Sequence, residues 1–328
     1  LNSDIFNPYD QNSRFNLIGN AMTNEEHQDS TWSNISSFLT SCQYKQQRNV
    51  KKSTCSQLKT FSMNIRSLTK NIDQLRDDIE TYDKYDILCF NETNCTLGKL
   101  PNGINDVTLD GFHEPFIQDP IRPSGKGGGL AIYVHKRVVD SDKIDIFTPN
   151  PEPTNTSGEF QFIKLHQCKG YNRTKIIGNV YRSPARRPEA FLEIFKNTLH
   201  NLGRHTRKHM TLHGDFNLDL LKHSSDQACQ NIIDIASSYG FIQIVSRPTR
   251  LTDHSATLID HIYTNNLEDT ISCNVLTTDM SDHLAIVTTI NLDNTPTSSY
   301  RSASNSQNVS QTETRRFNDT NNQKFRDL

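Results

Sequence analysis

Several polar side chains in this sequence stand where apolar, strand-like runs end. Asn64 closes LKTFSMN, Glu92 follows ILCFN, and Tyr181 closes KIIGNVY. Asp215 and Asn217 follow MTLHG, Asp260 interrupts LIDHIY, and Asp282 and His283 precede LAIVTTI. Strand ends that feed loops are where a rigid scaffold presents chemistry. Acids, amides, a phenol and an imidazole together can hold a hard divalent cation against a phosphate and move a proton beside it. Each residue also has an ordinary reading when taken singly. Asn64 and the Gly214-Asp215 pair suit turns. Glu92 suits an exposed strand end, Tyr181 a core rim, and Asp282 and His283 a surface turn. Asp260 resists such a reading, because a carboxylate amid apolar neighbours is costly to bury without a partner. The joint pattern points to a site that handles phosphate.

The elements that must position these residues follow from periodicity. Residues 58–64, 87–92, 129–134, 160–165, 175–181 and 209–215 read as strands, as do FIQIV, LIDHIY, ISCNVL and LAIVTTI. Ile72, Leu75, Ile79 and Tyr82 recur at helical spacing, so 69–82 is predicted to be an amphipathic helix. Pro188 opens a second helix with Phe191, Ile194, Phe195 and Leu202 on one face. A third helix over 225–239 stops at Gly240. There are too few helices for the crossovers of a doubly wound parallel sheet. The prediction is an α/β fold with two mixed β-sheets packed face to face and helices outside.

Apolar residues make up 34% of the 328, below the usual globular share, so the shortfall must sit in segments that do not build a core. Residues 1–57 are polar and expected to be mostly disordered. Within them an apolar cluster at Trp32, Ile35, Phe38 and Leu39 suits a short helix. Residues 58–292 form the patterned block. Residues 293–328 read as a low-complexity linker and the start of a following region. Formal net charge is -2, so binding to a polyanion would rest on local basic patches and bound cations. Seven cysteines with no CxxC pair argue against a zinc knuckle or a disulfide framework. No apolar run approaches the ~20 residues that span a bilayer, so no membrane partner is expected.

The motifs MNIRSL (63–68), FNET (90–93), GGGLAIYV (127–134), NVYRSP (179–184), GDFN (214–217), RPTR (247–250), LIDHIYTN (259–266) and SDHLAI (281–286) resemble the endonuclease/exonuclease/phosphatase superfamily. Within it they look like the apurinic-type endonuclease domain of non-LTR retrotransposons. GDFN followed by SDH carries the superfamily, while NIRSL, GGGLAIYV, YRSP and RPTR carry the retrotransposon branch. The resemblance implies a four-layered α/β sandwich and dependence on Mg²⁺, with Mn²⁺ as a substitute. It implies nicking of one strand of duplex DNA to leave a 3′ hydroxyl, as in target-primed retrotransposition. It also implies a reverse transcriptase region in a longer polyprotein and, through the DNA substrate, a nuclear location.

Resemblance and chemistry together assign roles. Glu92 is the expected metal ligand, with Asn64 near the metal and Asp282 supporting that side. Asp215 orients or deprotonates the attacking water, and Asn217 donates to the phosphoryl oxygen. Tyr181 and His283 contact the phosphate, and Asp260 fixes the His283 tautomer. Whether Asp215 or His283 is the general base stays open. Arg66 stands where some repair-type relatives carry an acid, which leaves fewer carboxylates for a second metal. The stretch SGKGGG (124–129) lacks the GxxxxGK[ST] order and precedes a strand, so it reads as a loop rather than a nucleotide cradle. Arg182, Arg186, Arg187, Arg247 and Arg250 are candidates for DNA phosphate contacts, against the ordinary reading of a solvated face. Two alternatives use the same motifs. One is another phosphodiesterase or phosphatase on this scaffold, such as an RNA deadenylase or inositol-phosphate phosphatase, which YRSP and RPTR disfavour. The other is an inactive retrotransposon remnant, which the intact site residues argue against.

Overall fold

The structure, a computed structural model, describes residues 34–121, 127–148, 157–171, 174–203 and 209–293. Trp32, residues 124–126 of the glycine-rich loop and the tail from 294 lie outside the described residues. In chain order the first strands are β1 (Tyr44–Gln46), β2 (Gln57–Asn64), β3 (Ile87–Asn91), β4 (Phe116–Gln118), β5 (Leu130–Val134), β6 (Ile144–Ile146), β7 (Glu159–Leu165) and β8 (Lys175–Tyr181). They continue with β9 (His209–Asp215), β10 (Ile242–Gln243), β11 (Arg250–Leu251), β12 (Ala256–Thr257), β13 (Asp260–Thr264), β14 (Thr270–Thr277) and β15 (Ala285–Asn291). The helices are α1 (34–41), α2 (Leu68–Asp77), α3 (Ile79–Tyr82), α4 (Pro188–Leu202) and α5 (Gln227–Ser238).

One sheet of seven strands runs β1-β14-β15-β2-β3-β5-β4, and a second of six runs β10-β13-β9-β8-β7-β6. Near the middle of each sheet lies a parallel pair with a helical crossover, β2 with β3 and β8 with β9. Period-two alternation then assigns the faces. Phe61, Met63, Leu88 and Phe90 turn outward onto Leu68, Ile72 and Leu75 of α2. In the second sheet, Phe162, Ile176, Val180 and Leu212 turn outward onto Phe191, Phe195, Ile232 and Ile233 of α4 and α5. The opposite faces meet each other, with Leu58, Ile87, Cys89 and Ile132 packed against Ile163, Leu165 and Ile177. Each such buried side chain contributes about 1.5–3 kcal/mol. The order helix, sheet, sheet, helix is the expected four-layered α/β sandwich.

The same alternation puts Asn64, Asn91, Asn179, Tyr181, Asp215 and Asp260 on the inner faces. Deep between the sheets Asn91 Nδ2 donates to Asn179 Oδ1 at 2.7 Å, and Asn179 Nδ2 donates to the Phe90 carbonyl at 3.0 Å. This buried clasp couples the two sheets, since breaking either side strands an amide away from water.

Three expectations change. The helix predicted over 69–82 is divided where Asp78 leaves helical geometry, at φ -94 and ψ 21. Only Ile242–Gln243 of FIQIV forms a strand. The expectation of a mostly disordered 1–57 fails for its described part. Residues 34–41 are helical, and β1 joins the edge of the seven-stranded sheet parallel to β14. Apolar burial is the reason. Ile35 and Leu39 join the layer behind the second sheet, while Phe38 and Cys42 pack with Ile244, Val275 and Ile286.

Candidate active site

Asp215 ends β9 with its carboxylate buried on the inner face. Asn64 Nδ2, from the other sheet, donates to Asp215 Oδ2 at 2.8 Å, and the Asn217 backbone N–H donates to Oδ1 at 2.9 Å. Strand register sets Asp215 opposite Tyr181 on one side and Asp260 on the other. Gly214 is sterically required, because a Cβ there would lie 1.8 Å from the Val180 carbonyl oxygen. Burial, then the neighbouring Asp260, pushes the Asp215 carboxyl up to about 7, although His283 and Asn64 pull the other way.

His283 is equally buried. Its Nδ1 lies 2.9 and 3.1 Å from the two oxygens of Asp260. Burial opposes a charged imidazole, but Asp260, Asp215 and Asp282 outweigh it and raise His283 to about 9. With Nδ1 committed to Asp260, Nε2 is the nitrogen left to meet a substrate oxygen. Asp260 is itself fixed. Thr249 Oγ1 donates to its Oδ2 at 2.6 Å and accepts from its backbone N–H at 3.1 Å. No role for Thr249 follows from the sequence, where it is one threonine between a proline and an arginine. Only the fold brings it under Asp260.

Tyr181 and Glu92 form a second pair, with Tyr181 Oη donating to Glu92 Oε1 at 2.8 Å. Burial, followed by the charge on Glu92, drives the phenol well above its usual range, so it stays a donor. Glu92 and Asn217 adopt left-handed backbone (φ 48 and 49), as do Arg66 and Asn94 (φ 60 and 49). Non-glycine residues in that region carry about 1–3 kcal/mol of strain each and cluster at functional sites. The described part of the glycine-rich loop lies directly on this pair. A Cβ on Gly127 would sit 3.1 Å from Tyr181 Oη and 3.8 Å from the Glu92 carboxyl carbon.

The expected residues are not gathered equally. Asn64, Asp215, Asp260 and His283 converge, with Asn217 holding Asp215 and the Tyr181–Glu92 pair in the Asp215 field. Asn217 Nδ2 donates to the Arg182 carbonyl at 2.8 Å, so its amide also anchors its own loop. Asp282 lies outside the buried group. It is partly exposed, and its Oδ2 is taken by Arg66 and Arg250. Among the basic candidates, Arg182 is buried and donates to the carbonyls of Phe216 (2.6 Å) and Arg186 (2.8 Å), a buttress rather than an open cation. Arg247 Nε donates to the Cys42 carbonyl at 3.2 Å.

A hard divalent cation fits the charge and donor types. Burial, Asp260 and Glu92 all raise the Asp215 carboxyl, while Asp260, Asp215 and Asp282 put negative charge around the His283 imidazole. Among the described residues, atoms of Asp215, Asp260 and His283 lie within 4.8 Å of one another. Ion pairing already occupies Asp260 and His283 mutually. The oxygen donors left are Glu92, Asp215 and the amide oxygen of Asn64, which suit Mg²⁺ or a similar ion.

A two-sheet sandwich with acids, amides and an imidazolium converging at its inner strand ends is the frame of a phosphoester hydrolase. Residues 61–283 match the profile of the Endonuclease/Exonuclease/phosphatase family, and the chain belongs to that family. No curated protein sequence matches the chain. Solved structures do match it in fold. The AP endonuclease LMAP from Leishmania major aligns at 13% identity with TM-score 0.59, covering 74% of this chain and 92% of its own. The endonuclease domain of TRAS1, a telomere-specific non-LTR retrotransposon, aligns at 15% identity and TM-score 0.52, covering 72% and 99%. An AP endonuclease from Archaeoglobus fulgidus aligns at 18% identity and TM-score 0.52, covering 70% and 98%.

Proposed function

We propose that this chain is a Mg²⁺-dependent endonuclease that nicks one strand of duplex DNA and leaves a 3′ hydroxyl, within a non-LTR retrotransposon polyprotein. One observation carries the reading. Asp215 is held across the sheets by Asn64, beside a His283 whose Nδ1 is paired with Asp260, itself held by Thr249. That arrangement pairs a buried carboxylate able to take a proton with an imidazolium able to donate to a phosphate oxygen. Support for the retrotransposon branch comes from the NIRSL, YRSP and RPTR motifs and from the shared fold of the TRAS1 domain. A nuclear location and a reverse transcriptase partner are part of the same proposal.

Glu92, with Asn64 and Asp215 nearby, would hold the divalent ion, which when bound neutralises the phosphate and the departing 3′ oxygen. Asp215 accepts the proton of the attacking water. His283, already protonated, donates to a non-bridging oxygen, and the single Tyr181 O–H, once turned from Glu92, would donate beside it. Asn217 keeps the Asp215 carboxylate aimed. The test is conversion of supercoiled plasmid to open circle by the full chain in Mg²⁺ or EDTA, beside Asp215→Ala and His283→Ala. Metal-dependent nicking that both variants lose is expected. A folded protein that leaves plasmid intact would defeat the proposal.

A further inference from the structure

Arg66 and Arg250 converge on Asp282 at the border of the buried site. Arg66 Nη2 donates to Asp282 Oδ2 at 2.8 Å, and Arg250 Nε and Nη2 reach the same oxygen at 2.9 and 2.8 Å. An oxygen already shared by two guanidinium groups is a poor ligand for a cation. The backbone of each arginine is tied to a site residue. The Arg66 N–H donates to Asn64 Oδ1 at 3.1 Å, and Arg250 forms an isolated β-bridge with His283. Their side chains stay 44% and 37% exposed, so the forks are aimed from within the site yet open to a ligand.

We propose that Arg66 and Arg250 together grip a backbone phosphate of duplex DNA next to the scissile bond, and that Asp282 is the positioning residue that holds the two guanidinium groups side by side. The inference rests on the nuclease reading above. Planar guanidinium forks match phosphate oxygens, and two cations with one tethering acid leave a net positive charge for the phosphate. Such a contact fixes the register of the duplex without reading its sequence. Asp282 is thereby moved from the metal side of the site to its substrate side.

The full chain and its Arg66→Ala, Arg250→Ala, Arg66→Lys and Asp282→Asn variants would be tested with a labelled duplex in EDTA. Affinity would be followed over a range of salt, and plasmid nicking over a Mg²⁺ titration. Each alanine variant is expected to weaken binding about tenfold and flatten the log–log salt slope by about 1, equally on unrelated sequences. Arg66→Lys keeps the slope but loses affinity, because the charge remains and the fork does not. Asp282→Asn weakens binding while the Mg²⁺ midpoint of nicking stays at the wild-type value. Unchanged affinity and slope in both alanine variants overturn the inference. So does an Asp282→Asn variant whose Mg²⁺ midpoint rises tenfold with binding in EDTA intact. If the wild type nicks plasmid and the slopes do not change, only this inference falls. If the wild type neither binds nor nicks, the nuclease reading falls with it.

Discussion

Asn64 and Asp215 are 151 positions apart in the chain, and the Asn64 amide donates to the Asp215 carboxylate at 2.8 Å. Asn64 belongs to one sheet and Asp215 to the other, so the aim of the carboxylate depends on how the sheets pack. Asn64→Ala should lower kcat for plasmid nicking by about 10²-fold, within the range seen when one preorganised donor is lost. Asp215→Asn should abolish nicking and yet melt at a higher temperature than wild type in EDTA. It removes a buried charge that Asp260 and Glu92 repel. Added Mg²⁺ should stabilise the wild type more than the variant. Thermal melting with and without the ion checks both statements.

Thr249 acts on His283 through Asp260. Thr249→Val keeps the shape and deletes the 2.6 Å hydrogen bond to Asp260. A cost of about 1–3 kcal/mol in stability is expected from the buried acceptor left unmatched. A roughly tenfold loss of kcat should accompany it, as the imidazole loses its fixed orientation. Denaturant melts and single-turnover nicking would separate the two effects. A variant equal to wild type in both would remove Thr249 from the site.

Two glycines should fail differently on substitution. Gly214→Ala drives a methyl into the Val180 carbonyl and should cost about 4 kcal/mol or more, enough to prevent folding. Gly127→Ala, at φ 88, presses on the Tyr181 hydroxyl at 3.1 Å and touches the Glu92 carboxylate at 3.8 Å, both ends of side chains that can give. That protein should fold, with nicking reduced because the Tyr181–Glu92 pair is displaced. Circular dichroism beside activity distinguishes the outcomes.

His213 and His261 are buried, and burial depresses them from 6.5 to about 3 and about 4. Both are neutral in the folded protein, while the unfolded chain takes up protons below about 6.5. The unfolded state therefore binds more protons between the two values, and stability rises with pH there. Lowering pH from about 6.5 towards 4 should cost up to about 1.4 kcal/mol per pH unit for each histidine. His213→Gln should shallow that slope. Equal slopes in urea melts of the two proteins would contradict it.

The strands that matter most were readable because their apolar alternation is strong. Phe61 and Met63, or Leu88 and Phe90, announce one face, and the polar residue at each strand end then falls on the other. GDFN and SDH lie on such ends, so Asp215 and His283 could be named in advance. Asp282 follows the same motif but leaves the cluster, because two arginines from distant segments hold it. Thr249 and Arg182 stand in the RPTR and YRSP motifs, but the motifs do not give what they hold, since their partners lie on other elements. For residues 34–57 composition is a poor guide to order. Ile35, Phe38, Leu39 and Cys42 are buried, and Val50 packs on the core, in a stretch that is otherwise largely polar.

That docked segment also closes an edge. β1 pairs Tyr44, Lys45 and Gln46 with Val275, Leu276 and Thr277 of β14, and Tyr44 Oη donates to the Pro248 carbonyl at 3.1 Å. A protein trimmed to begin at residue 58 would present β14 as a bare strand above an uncovered apolar patch. Such edges recruit strands from other molecules. The trimmed protein should self-associate in proportion to its concentration, whereas one that keeps residues 34–57 should elute at constant size. Constant size in the longer protein would make residues 34–57, part of a segment that composition marks as disordered, the cover that keeps β14 from other molecules.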